Sequence, residues 1–269
     1  MIPPPLSHPE FWEKQGYPTF ERFWQVCNRV LEALNRLTLN AGKPKEKHHI
    51  LIRYLCISTG ISYADVGLLV GNGCGLSAMK IVRTTLEAAV NAEYLRLEPA
   101  EHRQFLDWSF IEQHRKLEYM RKHMPTDYTR LDPEMVANTE KRYKVVRPKF
   151  LQPNKKLQQS WCKRSLRERA EKTKFEEMYS IVYMLSSELS HVSFGGLAQH
   201  VESFEEEGTQ PAIPPSLTRC AEALNSAHYC ALRAVGTLVS INDADSTPSL
   251  AALKSDYDYA WSDSNAPSV

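Results

Sequence analysis

The sequence predicts an all-α protein: an irregular multi-helix bundle with a long central helix and a loose acidic C-terminal tail. Three observations predict it. Apolar residues recur at steps of three and four through successive segments, prolines and glycines fall mainly at the boundaries of those segments, and no run reads convincingly as a strand. Composition agrees, since 42% hydrophobic and 24% charged residues in a chain of 269 are the balance of an ordinary globular protein.

Residues 1–18 are Pro-rich and irregular. The first helix follows, with Thr19 as its N-cap and Phe20, Phe23, Trp24, Cys27, Val30, Leu31, Leu34 and Leu37 at helical spacing. A second helix covers HHILIRYLCIS, and a short one through YADVGLLV runs into Gly71, Gly73 and Gly75. That glycine run lacks the Gly-Lys-Ser/Thr ending of a phosphate loop and follows no strand, so it reads as a helix C-cap and turn. The long helix 76–97 comes next, then a helix over 99–123 opened by Pro99, and polar helices over 134–147 and 155–172 separated by Pro148 and Pro153. Helix 175–193 precedes FGGL and an acidic segment. The last helix, 215–241, sets Leu217, Ala221, Leu224, His228, Ala231, Val235 and Leu238 along one seam. His228 there reads as a core or interface histidine. Residues 19–241 are expected to form one helical domain, with 242–269 a flexible tail rich in Asp and Ser.

Six scattered cysteines form no Cys-x-x-Cys pair and no Cys/His cluster at zinc spacing. They read as reduced thiols, and no metal or cofactor is implied. The N-terminus shows no basic start followed by an apolar run, and no apolar stretch approaches the roughly 20 residues of a membrane span. The expectation is a cytoplasmic protein without a membrane partner.

The strongest local signal is YSIVYMLSSELSH, where Tyr179, Tyr183, Ser187 and His191 recur every four residues at the margin of an apolar face. On the long helix Arg83 and Glu87 stand four apart in the less favourable order for an exposed pair, which suggests contact with a second helix. Two readings follow. The polar groups satisfy one another between packed helices. Alternatively, His191 lines a pocket with Arg83 as anion clamp, Glu87 as orienting carboxylate and a tyrosine as donor, a metal-independent hydrolase or ribonuclease-like site built on Arg83, Glu87, Tyr183, Ser187 and His191.

The segments VRTTLEAAVNAEYL and WCKRSLRERAEKTKFEEMYSIVYMLSSELSHVSFGG resemble a bacterial family of unknown function, the one numbered 5677, over roughly residues 76–200. The resemblance implies an all-helical fold and matches Arg83, Glu87, Trp161, Tyr183, Ser187 and His191. It implies no established activity, and only through the bacterial family does it suggest a stress or phage-defence setting. A second comparison, with helical ribonucleases of the HEPN kind, rests on RLEPAEH alone. Arg96 and His102 are there interrupted by Pro99, and such a match is expected by chance.

From Lys141 to Lys174 basic residues far outnumber acidic ones, although the whole chain carries only +1. With Tyr143, Phe150 and Trp161 interleaved, the block suits a phosphate backbone and stacked bases. Trp161, Lys163, Arg164 and Arg167 are the candidate binding residues. A solvated face, or self-association of the block with the acidic tail through DYDYAW, are the competing readings. The leading expectation is a binding protein that engages RNA or DNA through this block, with homo-oligomerisation possible and the hydrolase reading as the alternative.

Overall fold

In the computed structural model the described residues are 20–39, 44, 46–190, 201–205, 208–211, 218–242 and 250–262. Among them are ten α-helices, two 3₁₀ turns and one β-hairpin, so the all-α class holds. The contacts divide the chain into two compact units where the sequence suggested one. The first draws on residues 1–97 and 169–269, the second is Glu98–Glu168.

The first unit is built on α1 (Phe20–Leu39), α2 (Lys47–Gly71), α3 (Gly75–Leu97), α8 (Glu176–Ser190), α9 (Cys220–Ile241) and α10 (Leu250–Ala260). Helices α2, α3 and α9 pack on one another, α1 lies on α2 and α9, and α8 packs on α3. The core follows the apolar periodicity: Phe23, Cys27, Val30 and Leu34 of α1, Met79, Val82, Leu86 and Val90 of α3, and Leu224, His228, Ala231, Val235 and Leu238 of α9 are all buried. Thr19, expected as the first N-cap, lies outside the described residues.

The segments expected as two helices over 48–70 form a single 25-residue helix, α2. Its glycines are packing points. A Cβ at Gly60 would lie 3.2 Å from Leu34 Cδ1, and one at Gly67 would lie 3.3 Å from Cys27 Sγ, so α1 packs close against both. Contrary to the sequence expectation, α2 is long and apolar enough to cross a membrane. It buries Ile52, Cys56, Tyr63, Val66 and Val70 and leaves Ile50, Tyr54 and Ile61 exposed. The glycine run beyond it is the expected turn: Asn72 and Cys74 donate back to carbonyls of the last α2 turn, and Gly73 takes φ 68°. Gly75 allows the backbone before α9 to approach, because a Cβ there would fall 2.3 Å from the Thr218 carbonyl oxygen.

Two further expectations are corrected. Where the sequence showed an acidic segment and no strand, β1 (Val201–Glu205) and β2 (Gly208–Pro211) pair antiparallel. Within the segment expected to be a loose tail, α10 docks on α1 and α9. Leu253 and Ala260 are buried, Arg22 donates to the Ala260 carbonyl at 2.8 Å, Arg29 pairs with Asp256 at 2.6 Å, and Trp261 meets Phe23 with ring centroids 4.7 Å apart. The aromatic anchors suggested for self-association thus include two, Tyr257 and Trp261, that are engaged within the chain.

The second unit holds a 3₁₀ turn at Pro99–Glu101, α4 (His102–His123), the short α5 (Pro125–Tyr128), α6 (Pro133–Val146), a 3₁₀ turn at Arg147–Phe150 and the start of α7 (Leu166–Lys172). Asp132 caps α6 by accepting from the Glu134 amide at 3.0 Å. The helix expected over 155–172 begins only at 166. Before it, Gln152 and Lys156 close a tight turn in which Asn154 Oδ1 accepts from the Lys156 amide and Lys155 takes φ 61°. Helix α7 then starts at a reciprocal box: the Glu168 amide donates to Ser165 Oγ at 3.2 Å, and the Ser165 amide donates to Glu168 Oε2 at 2.6 Å.

Candidate functional site

The predicted cluster on α3 and α8 forms in part. Arg83 Nη2 donates to the Tyr183 hydroxyl at 2.8 Å, and its guanidinium carbon lies 4.4 Å from the Tyr183 ring centroid. Arg83 Nε reaches Glu87 Oε1 at 3.3 Å, and Tyr179 stacks on Tyr183 at 4.8 Å. The two i,i+4 steps therefore meet across a helix pair, as the marginal stripe implied. The pair is half exposed rather than buried, with side-chain accessibilities of 31% for Arg83 and 44% for Glu87. Ser187 is half-buried on the next turn of α8, and Ser186 is fully buried with no hydrogen-bond partner among the described residues. His191 lies outside the described residues.

The basic block divides by chemistry. Its aromatic residues are committed to packing: Trp161 is buried against Phe105 at 5.0 Å, Phe150 is buried against Trp108 at 5.1 Å, and Tyr143 stacks on His114 at 3.6 Å. The expected role of Trp161 as a base-stacking platform is therefore corrected, because a buried indole supports the core of this unit. The cations behave oppositely. Lys163, Arg164 and Arg167 are all exposed, Arg164 standing 3.8 Å from Glu101. Lys141, Lys144, Arg147, Lys155, Lys156 and Lys163 are exposed and have no ion-pair partner among the described residues.

Lys163 and Arg164 line a hollow of about 750 Å³ together with Gln152, Pro153, Gln158 and Ser160. Its carboxylate, Glu168, is occupied: the backbone and side chain of Ser165 hold it below its ordinary pKa. Glu98–Glu168 carries 16 Lys and Arg against 10 Asp and Glu, and the remainder of the chain 17 against 22. A net charge near zero thus conceals two units of opposite sign.

A third cluster was missed by sequence reasoning. On α3, Glu93 accepts from Arg96 Nε and Nη2, both at 2.8 Å, and from the Thr237 hydroxyl of α9 at 2.9 Å. Burial alone would raise this carboxyl, but those hydrogen bonds and the charges of Arg96 and Arg233 outweigh it and lower the pKa. Arg96 is thereby engaged with Glu93, and Pro99 opens a 3₁₀ turn before His102, which removes the HEPN-like match. Glu93 and Arg96 are an i,i+3 pair on α3, but Thr237 and Arg233 come from α9, so the sequence carries no local motif for the whole cluster.

Among the described residues no group of three or more His, Cys, Asp or Glu could hold a metal. None of the six cysteines is in a disulfide, and burial pushes the thiols of Cys27, Cys220 and Cys230 up to about 12, which makes them inert at neutral pH.

These features place the chain in a class of all-helical proteins with a polar seam on two packed helices and a cationic second unit. A model of the family of unknown function DUF5677 matches residues 49–209, more than half of the chain, and the chain belongs to that family. No curated protein and no solved structure matches it.

Proposed function

We propose that the protein binds a polyanion, single- or double-stranded nucleic acid, through the cations of Glu98–Glu168. The observation that supports this reading best is the set of exposed cations Lys141, Lys144, Arg147, Lys155, Lys156 and Lys163, which have no carboxylate partner among the described residues, unlike Lys149 on Asp107, and whose charge is left available to phosphates. Paired surface cations would be neutralised in place; Arg121, held by Glu118 and Glu140, shows what that looks like in the same unit. Burial of Trp161 and Phe150 and the stacking of Tyr143 on His114 argue for contacts to the backbone of the nucleic acid rather than to its bases, so affinity should vary little with sequence.

The test is fluorescence anisotropy with labelled RNA and DNA oligonucleotides of several sequences at low ionic strength. The joint substitution Lys163→Glu and Arg164→Glu should weaken all of them alike, by tenfold or more. Unchanged affinity in that variant, or discrimination among sequences that survives it, would reject the reading.

The hydrolase reading keeps one supporting observation, the Arg83–Tyr183 contact, which presents a half-exposed guanidinium beside a phenol. In that reading Arg83 would stabilise phosphate charge. It predicts loss of RNA cleavage in Arg83→Ala without loss of oligonucleotide binding.

A further inference from the structure

A hollow of about 510 Å³ opens between α9 and α10 over the Glu93 cluster of α3, within the range of small-molecule sites. Leu232, Gly236 and Leu250 form its apolar side, and Tyr229 and Tyr257 add aromatic rings. Its charges are unevenly satisfied. Glu93 is ion-paired with Arg96 and accepts from the Thr237 hydroxyl, and the more distant charge of Arg233 also favours its ionised form. Arg233 spends its donors on oxygens that carry no charge: Nη1 on the Lys174 carbonyl at 2.9 Å and the Tyr229 hydroxyl at 2.8 Å, and Nη2 on the Thr173 carbonyl at 2.6 Å. Its guanidinium also lies 4.3 Å from the Phe175 ring centroid. It has no ion-pair partner among the described residues, and neither does Lys254 at the exposed rim. Asp258, one turn further along α10, is the only other carboxylate lining the hollow, and it too is exposed.

We infer that this hollow binds a small organic anion with a planar apolar body. The body rests on Leu232, Gly236, Leu250 and the tyrosines. The anionic group, a carboxylate, sulfonate or phosphate ester, takes the charge of Arg233 and Lys254, neither of which makes an ion pair among the described residues. A fixed guanidinium whose position is already set by two carbonyls and two rings presents its charge without reorganisation, which favours an anion over a neutral ligand. Asp258 opposes that group weakly, because solvent screens it at the rim. The site lies wholly in the first unit and does not depend on the nucleic-acid reading.

The probe is 1-anilinonaphthalene-8-sulfonate, an aromatic anion of suitable size, titrated against the full chain by fluorescence. Saturable binding at one site is expected. Lys254→Glu should weaken it about tenfold, Asp258→Asn should strengthen it, and Ser240→Trp, at the mouth, should block it. All three positions lie at the rim, Ser240 and Asp258 exposed and Lys254 likewise, so these variants should fold. Lys163→Glu, in the other unit, should leave dye binding unchanged while lowering nucleic-acid affinity, which separates failure of one reading from failure of the other. Non-saturable binding, indifference to Lys254→Glu and Ser240→Trp, or loss in Lys163→Glu would overturn the assignment. Displacement by adenosine monophosphate or by benzoate then distinguishes a phosphate ester from a carboxylate.

Discussion

At the scale of single residues, exposure decides what the Arg83 cluster is worth. A carboxylate buried with its arginine would make Arg83→Ala cost about 3–5 kcal/mol. Glu87 is instead nearly half exposed, so the ion pair contributes about 0–1 kcal/mol and the contact with the Tyr183 ring about 0.5–1 kcal/mol. Arg83→Ala should therefore lower stability by about 0.5–2 kcal/mol in chemical denaturation, and a loss near 4 kcal/mol would contradict the exposed geometry. His228 is the opposite case. It is fully buried between Tyr63 and Tyr257, both ring nitrogens lack a partner among the described residues, and burial lowers its pKa from 6.5 to about 3. Between those values the unfolded chain binds a proton that the folded chain refuses, so stability is full above about pH 6.5 and is lost as pH falls toward 3. His228→Leu should flatten that acid limb in melting experiments between pH 4 and 7. It should cost little stability at pH 7, because no hydrogen bond is given up.

At the scale of elements, the joint between α2, α3 and the start of α9 is the least tolerant place. Gly75→Ala would drive a methyl to 2.3 Å from the Thr218 carbonyl oxygen and 2.5 Å from the Cys220 amide nitrogen, both of them backbone. The outcome should be a loss of about 1–3 kcal/mol or more from forced displacement, measured by thermal and chemical unfolding. An unchanged melting temperature would mean that the two segments do not approach. The elements also show what the sequence made legible. The α9 seam could be read directly because its steps of four and three fall on a strongly buried face. Continuity of α2 was hidden because Gly60 and Gly67 look like breaks until Leu34 and Cys27 are seen against them. The true start of α7 was written in Ser165 and Glu168, a capping box obscured by surrounding charge. Helix α10 was masked by Asp and Ser, although Leu250, Leu253, Tyr257 and Ala260 keep the spacing of one face.

At the scale of the whole molecule, charge is segregated by unit, and net charge alone could not show it. The Arg83, Glu87 and Tyr183 contacts were legible because i,i+4 spacing marks a stripe within one helix. The hollow beside Arg233 was not, since Glu93, Thr237 and Lys254 come together only through tertiary packing. Aromatic residues within the basic block misled for a related reason: sequence shows that Trp161 lies among cations, but not that its ring faces Phe105. With stacking removed, the polyanion reading depends on charge alone, and it makes a quantitative demand. Each phosphate neutralised releases condensed counterions, so log affinity should fall linearly with log salt with a slope of about −0.9 per phosphate on duplex DNA and about −0.7 on single strands.

The most direct measurement is that slope, taken by anisotropy over a range of potassium chloride for the wild type and for Lys163→Glu with Arg164→Glu. We predict a linear plot for the wild type, shallower in the charge-reversed variant and nearly independent of oligonucleotide sequence. Affinity that does not respond to salt, or a slope that charge reversal leaves unchanged, would contradict the assignment of nucleic-acid binding to the cations of Glu98–Glu168.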